Sequence, residues 1–213
     1  LNASRAADRP LGLVPTMGAL HAGHISLVRR AIADNRSVVV SIFVNPAQFD
    51  SEEDVENYPM EISRDVSMLE AEGVDIVFAP SPREMYSEGF DTRVIVGRIA
   101  DRLEGKYRPN HFTGVTTIVA KLLNIVEPEK AYFGQKDAQQ LSVVRRMVVD
   151  LNIKTVIVAL PIVRAADGLA CSSRNVHLTS NQRRSAPVLY QSLIQAKKMW
   201  KNGTTDPAKL EMG

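Results

Sequence analysis

Two patterns alternate along most of this sequence, and together they predict an α/β fold: a Rossmann-like parallel sheet domain followed by a second, smaller domain. The first is a set of short Val-, Ile- and Phe-rich runs, apolar on both faces, which suits parallel strands covered on both sides. The second is a set of longer segments with apolar residues at helical spacing between those runs, which suits right-handed crossover helices. A third observation limits the sheet: past Pro161 the alternation gives way to a polar loop and a helical stretch. The expected division is therefore residues 1–161 and residues 162–213.

Taken in chain order, "LGLV" at 11–14 reads as the first strand. Pro15 cannot donate to a sheet and fits the strand's end, and Gly18 and Gly23 permit tight turns and a close approach of ligand to backbone. A helix follows at about 23–34. "SVVVSIFV" at 37–44 is the second strand, 62–72 the next helix and "VDIVFAP" at 74–80 the third strand. A helix at 114–125, the strand "KAYFG" at 130–134, a helix at 138–150 and the strand "KTVIVAL" at 154–160 complete the sheet domain. The remainder is the loop "PIVRAADGLACSSRNVHLTSNQRR" and a helix near 180–201. In open sheets of this kind ligands bind beyond the carboxyl ends of the strands, so functional residues are expected just after them.

Composition narrows the function. The 213 residues carry a formal net charge of +2, without the basic excess of a phosphate-backbone binder, so nucleic acid is not an expected partner. No apolar run approaches the roughly 18 residues of a membrane span, and the first residues lack a signal-peptide pattern. The single cysteine, Cys171, excludes an internal disulfide and a cysteine-rich metal site, in keeping with a reducing cytoplasm.

The chemistry-bearing residues cluster where the topology expects them. "PTMGALHAGH" follows the first strand and places His21 and His24 three apart at a helix start. A helix N-terminus favours an anion, and the two imidazoles can donate to phosphate oxygens. Alone, the pair also reads as surface histidines or a zinc pair, although no third ligand at suitable spacing follows. "FVNPAQF" sets the amides of Asn45 and Gln48 after the second strand, suited to a hydroxyl or carboxylate. "RPNHFTGV" sets Arg108 and His111 ahead of a helix, and "FGQKDAQQL" supplies Gly134, Lys136, Asp137 and Gln140 after the fourth strand. "DGLACSSRN" adds Ser172, Ser173 and Arg174, hydroxyls and a forked guanidinium of the kind that holds phosphate.

This inventory has phosphate-binding groups and amides but no Ser-His-Asp triad, no paired catalytic carboxylates and no Walker loop. It suits a reaction that needs positioning and charge neutralisation. Nucleotidyl transfer is such a reaction, because a carboxylate ionised above a pKa of about 4 attacks the α-phosphate of ATP without a general base.

In this order, the five motifs closely resemble those of the pantothenate synthetase (pantoate:β-alanine ligase) family, from about residue 11 to residue 193. That family lies within the nucleotidyltransferases with a HIGH signature, of which "HAGH" is a variant. The resemblance implies two half-reactions: ATP and pantoate give pantoyl adenylate and pyrophosphate, and β-alanine then displaces AMP. It implies catalytic roles for His24 (proton donor), His21 and Lys136. It implies ATP binding by Met17, Gly18, His21, Gly23, His24, Gly134, Lys136, Asp137, Val163, Cys171, Ser172, Ser173 and Arg174. Pantoate would be held by Gln48, Gln140 and Met17, and β-alanine by Gln48. It further implies Mg²⁺ accompanying ATP with no assigned protein ligand, a cytoplasmic homodimer, and no nucleic-acid or membrane partner. Gln135 stands where the family usually has Glu, and Cys171 where it usually has Met. Family members usually extend further, so residues 162–213 are expected to be the start of an incomplete C-terminal lid domain. Another HIGH-type nucleotidyltransferase and a non-catalytic nucleotide-binding fragment are the alternative readings.

Overall fold

A computed structural model describes residues 2–211 of the chain. Five parallel strands form one sheet in the order β3-β2-β1-β4-β5: β1 (Leu11–Thr16), β2 (Ser37–Ile42), β3 (Ile76–Phe78), β4 (Lys130–Gly134) and β5 (Val156–Leu160). β1 pairs in parallel with both β2 and β4, so it lies at the centre.

Side chains alternate between the two faces, and both faces are covered, which is why the strands read as continuous apolar runs. Leu11, Leu13, Val39, Ala131 and Phe133 pack with the His111–Val126 and Ala138–Asp150 helices. Val14, Val38, Val40 and Tyr132 pack on the other face with Leu27, Val28 and Leu69 of the Ala22–Asp34 and Ile62–Glu72 helices.

The ends of several elements differ from expectation for local reasons. The third strand is shorter than 74–80: Gly73 adopts φ +82 as the C-cap of the preceding helix, and the Val74 N–H is still bonded to the Leu69 carbonyl. The fifth begins at Val156, and just ahead of it the Thr155 hydroxyl donates to the Pro128 carbonyl. The helix expected from 114 starts at His111. The single helix expected over 180–201 is two, Ser180–Ser185 and Val188–Lys201, interrupted at Pro187. A proline has no N–H to continue the helical ladder.

The chain divides into two compact units, Leu1–Pro161 and Ile162–Gly213. The outermost residues of the expected ranges, 1 and 212–213, lie outside the described residues. Within the second unit, an antiparallel bridge joins Arg164 to Ala170, and the Cys171 N–H donates to the Val163 carbonyl at 2.9 Å. Arg164 stacks over the Tyr190 ring at 4.0 Å, tying this loop to the Val188–Lys201 helix.

Candidate active site

The strand order defines where a ligand belongs. From β1 the chain builds outward through β2 and β3, then returns to place β4 on the other side of β1. The order reverses between β1 and β4, and the crevice beyond the carboxyl ends at such a point is where open α/β sheets bind ligands. Two segments leave the sheet there: the turn 17–21 after β1, and the 3-10 turn Gln135–Asp137 after β4.

The turn after β1 is held in an uncommon shape. Gly18 has φ +86 and Ala19 φ +50, so two successive residues are left-handed. The Gly18 N–H donates to Thr16 Oγ1 at 3.2 Å. The Ala19 and Leu20 N–H groups donate to the two carboxylate oxygens of Asp65, at 2.7 and 2.9 Å. Asp65 lies in the Ile62–Glu72 helix and is 1% exposed. Hydrogen bonds to a charged acceptor contribute about 1.5–3 kcal/mol each. A non-glycine residue in the left-handed region costs about 1–3 kcal/mol, a strain that these two bonds help to offset. A Cβ at Gly18 would sit 3.1 Å from Asp65 Oδ2 and 3.2 Å from Ile42 Cγ2, in a backbone conformation that already disfavours a side chain.

The turn delivers both histidines to the start of the Ala22–Asp34 helix. His21 is its N-cap rather than part of its first turn: Nδ1 accepts the Gly23 N–H at 3.1 Å, and His24 Nδ1 accepts the His21 N–H at 3.3 Å. The two rings stack with centroids 4.1 Å apart. Burial, followed by the charge of Lys136, lowers the pKa of His21, offset in part by its own backbone bond and by Asp137. Burial acts most on His24, with His21 and Lys136 adding to it, and pushes its pKa down to about 3. Both imidazoles are therefore neutral at pH 7. Because each Nδ1 accepts a backbone N–H, the network assigns the proton to each Nε2, which has no partner among the described residues. The His21 side chain takes first-turn N–H groups of the helix, so the two imidazole N–H donors are what meet the field of Lys136, whose near partner is its chain neighbour Asp137 at 3.2 Å.

The second cluster surrounds Gln48, which is 8% exposed. Gln48 Nε2 donates to the Met17 sulfur at 2.7 Å, and Oε1 accepts from Asn45 Nδ2 at 3.2 Å. One Nε2 hydrogen and further Oε1 capacity are left for a ligand. The Gln48 carbonyl accepts from Arg108 Nη2 at 3.1 Å and lies 2.8 Å from His111 Nδ1, and Arg108 is itself paired with Asp50 and Glu104. Arg108 and His111, which the sequence sets ahead of a helix, are therefore braces for the main chain at Gln48. The His111–Val126 helix comes close enough to do this because Gly114 lacks a side chain: a Cβ there would lie 2.2 Å from the Ala47 carbonyl oxygen.

Asn45 departs from its expected role. Its Oδ1 accepts from the Tyr86 hydroxyl and the Ala47 N–H, and its Nδ2 reaches Gln48 Oε1 and the Gly114 carbonyl. At 1% exposure it is a holder of the turn, not a free amide for a substrate.

The sheet end thus brings Met17, Gly18, His21, Gly23 and His24 to β1, with Gln48 bonded to Met17 and Lys136 close enough to act on both histidines. Gly134 ends β4, Asp137 follows it, and Gln140 is partly buried in the first turn of the Ala138–Asp150 helix. Val163 and residues 171–174 belong to the second unit. There Ser172 caps the 3-10 turn Ser173–His177 by accepting the Arg174 N–H at 3.3 Å, and Cys171 is half-buried.

A parallel sheet whose switch point carries a helix N-terminus, two neutral imidazoles and a lysine defines an α/β protein of the phosphate-handling, nucleotide-binding class. The chain belongs to the family described as Pantoate-beta-alanine ligase, whose sequence profile matches residues 1–212. The pantothenate synthetase of Acetivibrio thermocellus is 55% identical over 202 residues, which are 95% of this chain and 72% of that protein. The crystal structure of the Thermus thermophilus enzyme superposes with a TM-score of 0.91 at 50% identity, over 95% of this chain and 74% of that one. The Francisella tularensis pantoate-beta-alanine ligase, solved in complex with beta-gamma ATP and beta-alanine, is 42% identical with a TM-score of 0.85, over 89% of this chain and 74% of that one. The structure carries the Rossmann-like parallel sheet expected of the fold class. Among the described residues no helix is long and apolar enough to cross a membrane.

Proposed function

We propose that the β1 and β4 exits of this ligase carry out adenylation of pantoate by ATP. The supporting observation is the convergence of His21, His24 and Lys136 at the switch point, beside a Gln48 already bonded to Met17. ATP would lie along 17–24 and 134–137, with its phosphates on the Nε2–H groups and the helix N-terminus. Pantoate would be held by Gln48, Gln140 and Met17. Its carboxylate oxygen attacks the α-phosphorus, and the bond to the leaving pyrophosphate breaks. His24 acts as a neutral N–H donor to the charge developing on that leaving group, since its depressed pKa leaves no imidazolium at pH 7. The uncharged amine of β-alanine, near Gln48, then attacks the acyl carbon. AMP leaves and the nitrogen loses a proton to solvent.

Magnesium enters this reading with the substrate. Among the described residues no three His, Cys, Asp or Glu side chains cluster as a metal cage. Triphosphate oxygens and water would supply most of its ligands, as is usual for Mg²⁺ with nucleotides. ATP roles for Cys171, Ser172, Ser173 and Arg174 rest on the family's "DGLACSSRN" motif, with Ser172 already shaping that loop, and the role of Val163 rests on the family resemblance. A cytoplasmic homodimer is the assembly we expect, checked by size-exclusion chromatography.

The deciding experiment is exchange of labelled pyrophosphate into ATP. Exchange that requires pantoate supports the reading. Exchange without pantoate, or with a phosphorylated acceptor in its place, assigns a different nucleotidyl transfer, and ATP binding without exchange leaves a binding module.

A further inference from the structure

We infer that Asp65 is a positioning residue for the nucleotide, its buried carboxylate filling the concavity formed by the Ala19 and Leu20 N–H groups and so fixing the turn that presents His21 and His24. The inference rests on the reading of 17–24 as the ATP segment.

Successive N–H groups in a left-handed turn converge on one point and make a small anion seat. After β1 such a seat exists, at Gly18 and Ala19, but its occupant comes from inside the protein: both Asp65 oxygens are used, at 2.7 and 2.9 Å. A phosphate cannot take the same two donors. It is displaced onward to the next open ones, the imidazole Nε2–H groups at the start of the helix. The carboxylate thereby selects which donors meet the ligand as well as holding the turn. Gly18 completes the arrangement, because a Cβ there would approach the same Asp65 oxygen. The opposite end of β1 offers a comparison: Glu129 Oε2 accepts the Leu11 N–H at 2.7 Å, the same chemistry at the far end of the strand from the histidines.

Asp65→Asn replaces one oxygen with an N–H donor facing an N–H donor. Catalytic geometry displaced by about 1 Å costs up to about 100-fold. The expected result is a KM for ATP raised about tenfold or more and slower pantoyl adenylate formation. The KM for pantoate and the condensation of supplied pantoyl adenylate with β-alanine should change less than about twofold, the split that a local loss of ATP positioning produces. Glu129→Gln should leave all of these unchanged. An unaltered KM for ATP in a folded Asp65→Asn protein overturns the inference, and so does an equal loss in every step. Should Asp65→Asn not fold, hydrogen exchange in the wild-type chain decides: slow Ala19 and Leu20 amides support the clamp, and amides as fast as an open turn refute it. Pyrophosphate exchange insensitive to both His24→Ala and Asp65→Asn instead defeats the ATP assignment, and the inference with it.

Discussion

The two ends of the sheet are made from the same strands and used in opposite ways. At the amino ends, side chains staple strand to strand. Glu129 takes the Leu11 N–H and pairs with Arg9; Asp75 takes the Val38 N–H; the Tyr132 hydroxyl bridges Asn35 and Asp34. At the carboxyl end of β1 the backbone is bent into a left-handed turn, two imidazoles are kept neutral chiefly by burial, and Lys136 has its chain neighbour Asp137 for a close partner. Side chains brace the main chain at one end, and two imidazole N–H groups are kept in hand at the other. Bracing and chemistry are thus separated along β1 by the length of the strand.

The comparison is most exposed to failure at His24. Removing a preorganised donor to developing charge typically costs about 100-fold to 1000-fold in rate. His24→Ala should slow pantoyl adenylate formation by that order, while supplied pantoyl adenylate still condenses with β-alanine at close to the normal rate. Equal losses in both half-reactions would place His24 among the structural residues and erase the distinction between the two ends.

How much of this is legible in the sequence depends on how far each signal has to travel. The strands and main helices are readable because their signals are local: apolar runs on both faces, and helical periodicity between them. His21, His24 and Lys136 are readable because each follows a strand directly. Asp65 is not, since it sits in an ordinary-looking amphipathic segment and meets Leu20 only across 45 residues of chain. Asn45 misleads for the same reason. "FVNP" suggests a free amide, and its partners Tyr86 and Gly114 arrive from distant segments 41 and 69 residues away. The break at Pro187 is available locally, as a proline within a helical pattern.

Gln140 sharpens the comparison at the next level. It lies at the carboxyl end, and the structure shows no internal hydrogen bond for its side chain among the described residues, unlike Gln139, which is committed to the carbonyls of Ile99 and Arg102. Gln140→Ala should weaken pantoate binding by roughly 1–3 kcal/mol, the cost of leaving substrate polar groups unpaired in a closed site. ATP binding should hardly change. Calorimetric titration with each ligand measures both, and a matching loss for ATP would refute the assignment of this amide to pantoate.

A smaller effect appears in the dependence of stability on pH. The ordinary His pKa is 6.5, and His24 in the folded chain is held down at about 3. Above pH 6.5 neither state binds the proton and there is no penalty. As pH falls toward 3 the unfolded chain takes up a proton that folded His24 refuses, so the folded state loses stability, by about 1.4 kcal/mol at pH 5.5. In His24→Gln this contribution is absent. Thermal unfolding from pH 7.5 to 5 should therefore fall more steeply for the wild type than for the variant, and parallel curves would show that His24 is not held neutral.

The smallest effect belongs to the amino end. Burial tends to raise the pKa of Glu129, but the Leu11 N–H and Arg9 prevail and hold it below the ordinary value of 4.5. Because the ion pair is partly exposed, solvent screening leaves it little energy of its own, and most of the loss in Glu129→Gln comes from weakening the bond to Leu11. The cost should be about 1 kcal/mol, seen as a modestly lower Tm at pH 7. A carboxylate with a depressed pKa stabilises the fold above its unfolded value and loses that contribution as pH drops, so the gap between wild type and variant should close below pH 4.5. Throughout, the KM values for ATP and pantoate should stay as they are in the wild type. A Glu129→Gln protein of normal stability but altered KM for ATP would show that β1 transmits changes from one end to the other, and that the two ends are not independent.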